Sequence, residues 1–175
     1  FPLLKIMPVG DVGANYGSPI IFLFFGGFVL ALALEKVNLH KRIALSIIKI
    51  TGTTPNKVVL GFMIATASLS MWISNTATTV VMLPIAMSVI SLLVDDADGF
   101  TKSDQNFALS VMLGIAFSAN AGGIATVIGT PPNSVMIGLL ENEYNIEISF
   151  LKWMVIGLPF SIVLISIIYL VMTKW

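Results

Sequence analysis

The spacing of charge along this chain constrains its fold more than any other feature. Residues 12–34, 58–94, 105–140 and 153–173 hold no Lys, Arg, Asp or Glu, giving runs of 23, 37, 36 and 21 residues. About 20 apolar residues in a helix cross the ~30 Å hydrocarbon core of a bilayer, so the first and last runs each match one transmembrane helix. The middle two would be on the order of 55 Å long as straight helices. Each must break, fold back or run out along the surface. Of the 175 residues, 57% are hydrophobic and 10% charged, against about 25% charged in a soluble domain. The expected fold is therefore all-α, a polytopic membrane protein. Nine Lys and Arg balance nine Asp and Glu, which leaves no basic stripe for phosphate recognition and no expectation of a nucleic-acid partner. With no cysteine, a disulfide scaffold and a thiolate metal site are both excluded.

Both long runs carry a polar, helix-disfavouring cluster near the middle. The first reads Ser68-Leu-Ser70-Met-Trp-Ile-Ser74-Asn75-Thr76-Ala-Thr78-Thr79, with Thr76 at its midpoint. The second reads Ser118-Ala-Asn120-Ala-Gly122-Gly123-Ile-Ala-Thr126-Val-Ile-Gly129-Thr130-Pro131-Pro132-Asn133. Unpaired backbone at membrane depth costs several kcal/mol per group unless protein or a water-filled cavity covers it. Each interruption is expected to line an internal site.

Along the chain, Phe1 to Asp11 reads as the tail of something upstream. Residues 1–57 then hold a first transmembrane span and a cytoplasmic, scaffold-like amphipathic segment lying at the interface. Lys36, Lys41, Arg42, Lys49 and, at its edge, Lys57 place that segment inside by the distribution of positive charge. Leu39, Ile43, Ile47 and Ile50 share one helical face there. Thr54-Pro55 supplies an N-cap and a first-turn proline, so the next helix starts near Pro55. Residues 58–94 read as a re-entrant hairpin broken at Ser74 to Thr76, although one crossing with a long tail also fits; the tail charges favour the hairpin. Residues 105–140 read as a broken transmembrane helix: Phe107 to Ser118, an unwound stretch to Thr130, and a short helix from Pro131 to Leu140. The last transmembrane helix covers 150–173, with Trp153 and Trp175 expected in the two aromatic belts.

The chemistry converges on Ser70, Ser74, Asn75 and Thr76 facing Gly129-Thr130-Pro131-Pro132-Asn133. The N-terminus of a half-helix carries roughly +0.5 of an elementary charge. Two such ends aimed at one cavity make an anion site without a buried Lys or Arg. The helices that end there leave orphan carbonyls, which with the Ser hydroxyls and the Asn75 amide oxygen suit a small hard cation. None of the charge-free runs contains His, so no intramembrane acid or base is present to relay protons, and coupling to Na⁺ is expected over H⁺. For the same reason no enzyme is expected.

At these residues the sequence is similar to a known group. Met71-Trp72-Ile73-Ser74-Asn75-Thr76-Ala77-Thr78-Thr79, Met82-Leu83-Pro84 and Gly129-Thr130-Pro131-Pro132-Asn133 resemble the divalent-anion:sodium symporter family of di- and tricarboxylate transporters. Phe22 to Ala31 followed by Leu39-His40-Lys41-Arg42 resembles that family's first half. The resemblance implies sodium-coupled symport of a dicarboxylate or related divalent anion by an elevator-type transporter built from two inverted repeats, a homodimer in the plasma (inner) membrane. It places Na⁺ at Ser70, Ser74, Asn75 and Gly129, with Gly123 a second candidate in the sodium loop. Asn75, Thr76, Thr130 and Pro131 would touch the substrate. Only one copy of each motif is present, so the resemblance also implies that this is an N-terminal repeat whose partner is a second repeat of the same transporter.

Plainer readings stand beside these. Thr66, Ser68, Ser110 and Ser118 suit helix packing or bonding to a carbonyl, and Gly122 and Gly123 suit close approach of helices. Pro84 reads as a tolerated kink, His40 as exposed near headgroups, and Asp95, Asp96, Asp98 and Asp104 as a solvated acidic loop without the spacing of a calcium loop. The competing functions are an ion permease or cation/proton antiporter with similar broken helices, and a non-transporting membrane scaffold subunit.

Overall fold

The computed structural model describes residues 8–17, 19–52, 54–93 and 101–174, with Leu4 and Ile6. The described residues form helices joined by turns, with no strand. In order these are α1 (Val9–Tyr16), α2 (Pro19–Lys36), α3 (Leu39–Thr51), α4 (Pro55–Ser70), α5 (Asn75–Leu93), α6 (Lys102–Gly123), α7 (Pro131–Tyr144) and α8 (Phe150–Lys174). The acidic loop expected over Asp95, Asp96 and Asp98, the His40 side chain and Trp175 lie outside the described parts.

The helix boundaries follow local chemistry and correct several expectations. The first charge-free run is two helices, because α1 ends at Tyr16 and Pro19 opens α2, the position a proline suits best. Pro55 starts α4 as expected, with Thr54 in extended backbone before it. The first long run breaks earlier than Ser74 to Thr76: α4 stops at Ser70, Met71 to Ser74 form the turn, and Asn75 and Thr76 already lie in α5. Ser74 explains the restart. Its hydroxyl accepts from the Ala77 amide at 3.3 Å and its carbonyl from the Thr78 amide at 2.9 Å, which makes it the N-cap.

The second long run also breaks later than Ser118, since α6 continues through Asn120 to Gly123. Asp104, expected in the acidic loop, instead helps start α6. The Thr101 amide donates to the Asp104 carboxylate at 2.9 Å and the Asp104 amide to the Thr101 hydroxyl at 3.3 Å, a reciprocal capping box. At the far end, α7 closes at Asn145, whose φ of 52° is left-handed, and the Ile146 amide bonds to Leu140 O at 3.1 Å. The Asn145 amide bonds to Glu141 O at 3.2 Å, which makes this a left-handed αL stop.

Helices α4 and α6 form the centre of the packing. Gly114, Ser118 and Gly122 recur every four residues on α6, so they share one stripe. A side chain at Gly114 would sit 3.1 Å from Met63 Cγ, and one at Gly122 would run into the Ala67 backbone. Small residues at this spacing let two helix backbones approach closely. Around the seam lie Val58, Phe62 and Leu69 of α4, Met82 and Ala86 of α5, and Val111 and Ile115 of α6, all buried. Ile47 of α3 and Ile165 and Ile168 of α8 pack against them. The amphipathic helix expected over residues 39–50 is therefore present as α3, but it rests on the core through Ile47 while Ile50 is 84% exposed.

Helix α8 runs antiparallel to α6. Ser110 Oγ donates to Met172 O at 3.3 Å near one end, and Trp153 Nε1 donates to Ile124 O at 3.0 Å near the other. Trp153 is thus tied to the interrupted segment. The expected plain role of Thr66 is also seen, its hydroxyl bonding back to Phe62 O at 2.6 Å. Ser118 differs, being fully buried with no hydrogen-bond partner.

Candidate functional site

The two interruptions meet at the end of α6. Ser70 closes α4 and is fully buried, with Oγ 2.6 Å from Asn75 Oδ1 and 2.7 Å from Ala119 O. A hydroxyl has one proton to donate, so only one of these two oxygens can receive it at a time. The uncompensated oxygen at such a distance is the arrangement a small hard cation relieves. The Asn75 amide is oriented from its other side, because Nδ2 donates to Asn120 Oδ1 at 3.0 Å. That leaves Oδ1 directed at Ser70 and at Gly123, where an added Cβ would lie 2.5 Å from it. Gly123 lacks a side chain at the one place where Asn75 needs the room.

Gly129 completes this cluster by close backbone approach. A Cβ there would lie 2.5 Å from Gly123 O and 2.9 Å from Gly123 Cα. The turn between them is held from inside. Asn133 is buried on the first turn of α7, and its Nδ2 donates to Gly123 O at 2.9 Å and to Thr126 O at 2.7 Å. Thr126 is fully buried, accepts from the Gly129 amide at 3.0 Å, and donates to Met71 O at 2.5 Å. One hydroxyl therefore links the turn after α4 to the turn after α6. Ser134 Oγ donates to Val127 O at 3.1 Å. Carbonyls left over where a helix stops must find partners, and here side chains of α7 and α8 supply them.

Of the residues singled out from sequence, the structure brings Ser70, Asn75, Gly123 and Gly129 together. Ser74 sits beside them as the N-cap of α5, half-buried. Thr76 and Pro131 are exposed and Thr130 is half-buried; no hydrogen bond among the described residues joins these three to the Ser70–Asn75 cluster. They stand at the first turns of α5 and α7, where the positive ends of the two helix dipoles lie. Pro131 and Pro132 have no amide hydrogen, and the Asn133 amide already bonds to Thr130 O at 3.2 Å. An anion at this end would thus meet the α7 dipole and the Thr130 hydroxyl more than free amides.

Sequence reasoning gave no role to Thr126, Asn120 and Ala119, and named Asn133 within the converging motif without a role of its own. Asn133 had a readable signal, since a polar amide directly after two prolines, which donate nothing, is placed to satisfy the carbonyls upstream. Ala119 contributes only a carbonyl and had none. No group of three or more His, Cys, Asp or Glu gathers among the described residues, so the oxygens available are hydroxyl, amide and carbonyl.

The family profile described as citrate transporter matches residues 1–175. This chain belongs to the citrate transporter family. It is 44% identical over 171 residues to the sodium-dependent dicarboxylate transporter SdcS of Staphylococcus aureus strain USA300, a match covering 97% of this chain and 33% of that protein. The transporters of the same name from strains NCTC 8325 and N315 match with the same identity and coverage. The chain spans about a third of the length of the curated relatives it matches. The resemblance read from Ser74-Asn75-Thr76 and Gly129-Thr130-Pro131-Pro132-Asn133 leads to the same group of transporters. Citrate transporter family membership, with described helices at Asn75–Leu92 and Phe150–Lys174 long and apolar enough to cross a bilayer, identifies an integral membrane protein.

Proposed function

We propose that this chain is one repeat of a sodium-coupled symporter for dicarboxylates or related divalent anions. The observation that carries the reading is the oxygen cluster of Ser70 Oγ, Asn75 Oδ1 and Ala119 O beside Gly123, set between two broken segments. It occurs in a citrate transporter family member similar to sodium-dependent dicarboxylate transporters. Na⁺ is the co-substrate, held by Ser70, Ser74, Asn75 and Gly129, with Gly123 giving the Asn75 amide its place. The anion sits against the starts of α5 and α7, touching Asn75, Thr76, Thr130 and Pro131. Its charge is balanced by the two helix dipoles and the adjacent sodium, a design that needs no buried Lys or Arg.

In this reading α4 and α5, which cover nearly all of 58–94, form a re-entrant hairpin, α6 and α7, which extend past both ends of 105–140, a broken transmembrane helix, and α8 the final crossing. Residues 1–57 belong to the scaffold. A second, inverted repeat completes the substrate site, and the assembled transporter is a multi-pass homodimer of the inner membrane working as an elevator.

The test is uptake by the full-length protein in proteoliposomes. An inward sodium gradient should drive accumulation of labelled succinate, or of another anion in a panel with citrate, tartrate and sulfate, and a potassium gradient should not. Accumulation driven by a pH gradient alone would favour the antiporter reading, and no flux of any anion would favour the scaffold.

A further inference from the structure

Both interruptions rest on the start of α8. Ser149 caps this helix, accepting from the Lys152 amide at 3.3 Å. At its first residue, the Phe150 ring lies 6.4 Å from that of Trp72 in the turn after α4. One turn on, Trp153 donates its indole N–H to Ile124 O at 3.0 Å. One further turn on, Gly157 lets the α8 backbone come close, since a Cβ there would lie 2.8 Å from Ile124 O and 3.0 Å from Ala125 O. These features fall along one side of two helical turns, at spacings of three and four residues.

Ile124 caps α6 and directly follows Gly123. Its carbonyl belongs to the set that a helix end leaves without a partner. The indole also borders a half-open, mainly apolar cleft of about 370 Å³ lined by Met136, Leu140, Ile156 and Phe160, with Lys152 also in its wall. In such poorly polar surroundings a hydrogen bond is stronger and its loss more costly. We infer that Trp153 is a positioning residue for the sodium site, its indole N–H fixing the Ile124–Ala125 peptide, one residue beyond Gly123, and so the gap in which the Asn75 amide oxygen sits. Trp153 touches neither sodium nor anion and acts through Ile124. The inference rests on the sodium-coupled reading above.

The decisive variant removes the N–H and keeps the shape: the benzothiophene analogue of tryptophan at position 153 in the full-length protein. Trp153→Phe and Gly157→Ala accompany it, the second pressing on the same two carbonyls. Succinate uptake into proteoliposomes is measured against external sodium. One lost hydrogen bond of ordinary worth predicts about a fivefold rise in half-saturating sodium. The maximal rate at saturating sodium should stay close to wild type. A purely space-filling role would lower the amount of folded transporter and leave sodium half-saturation where it was. An unchanged half-saturation in the benzothiophene variant, with a sodium-dependent wild type, overturns this inference alone. A wild type indifferent to sodium overturns the parent reading and takes this inference with it.

Discussion

The turn after α4 and the turn after α6 solve the same problem by opposite means. From Met71 to Ser74 the chain passes from one helix to the next in four residues, and Ser74 caps the restart with its own side chain. What this tip offers the site is side chains, Ser70 and Asn75. From Ile124 to Thr130 the chain spends seven residues outside a helix, and what it offers is backbone. Its shape is imposed by Asn133, Thr126 and Trp153, none of them among the proposed sodium or anion ligands. The difference implies that substitutions in the first segment should damage function with little loss of stability. Those in the second should damage both.

Asn133→Leu is the largest expected effect. It strips the amide from Gly123 O and Thr126 O inside a buried turn. Leaving a buried acceptor unpaired costs about 1 to 3 kcal/mol. The thermal midpoint of the detergent-solubilised full-length protein should fall sharply, with sodium-driven uptake lost. A stable but inactive variant would break the comparison, because Asn133 would then serve the site and not the turn.

Gly129→Ala comes next. Its methyl group would press on the Gly123 carbonyl and Cα, backbone atoms that cannot swing aside. Overpacking of this kind costs about 1 to 3 kcal/mol, and the same thermal assay reads it. Gly114→Ala is the matched control, since the nearest atom there is Cγ of the flexible Met63 at 3.1 Å. It should cost clearly less.

Asn75→Ala tests the tip. Asn75 is half-buried and its hydrogen bonds join Ser70 and Asn120, so stability should change by about 1 kcal/mol or less. Sodium-driven uptake should nevertheless be abolished at normal expression. Normal uptake of succinate by this variant at subsaturating sodium would remove Asn75 from the site and leave the tip without a function.

The same contrast explains how much could be read from the sequence. The tip was legible because side chains mark it: Ser70, Ser74 and Asn75 are polar residues in an apolar run. Its position was misread by a few residues, because the Ser-Asn-Thr triplet reads as the break itself, whereas Ser74 alone ends it and Asn75 opens the helix. The loop was legible only where glycine or proline marks a special backbone. Asn120, Gly122 and Gly123 look unfavourable for a helix by propensity, yet α6 runs through to Gly123. The seam of Gly114, Ser118 and Gly122 against α4 is tertiary packing, and it overrides local preference. The bond of Trp153 to the Ile124 carbonyl is illegible for the same reason, since a partner 29 residues away leaves no trace in local spacing.

The smallest expected effect lies on that seam and has the opposite sign. Ser118 is fully exposed to neither water nor a partner: its relative accessibility is 0% and its hydroxyl makes no hydrogen bond. A hydroxyl buried without a partner is a net cost, and alanine at the same place keeps a residue small enough for α4 to pack on. Ser118→Ala should therefore leave the thermal midpoint unchanged or raise it slightly, by less than about 1 kcal/mol of stability, with sodium half-saturation unaltered. Thr66→Ala makes a fair comparison, since the Thr66 hydroxyl only returns to Phe62 O within its own helix. If Ser118→Ala instead raised half-saturating sodium, the unpartnered hydroxyl would belong with Ser70 and the Ala119 carbonyl. The site would then extend one turn down the α4–α6 seam, and the division between a packing stripe and a binding cluster on α6 would have to be redrawn at Gly114.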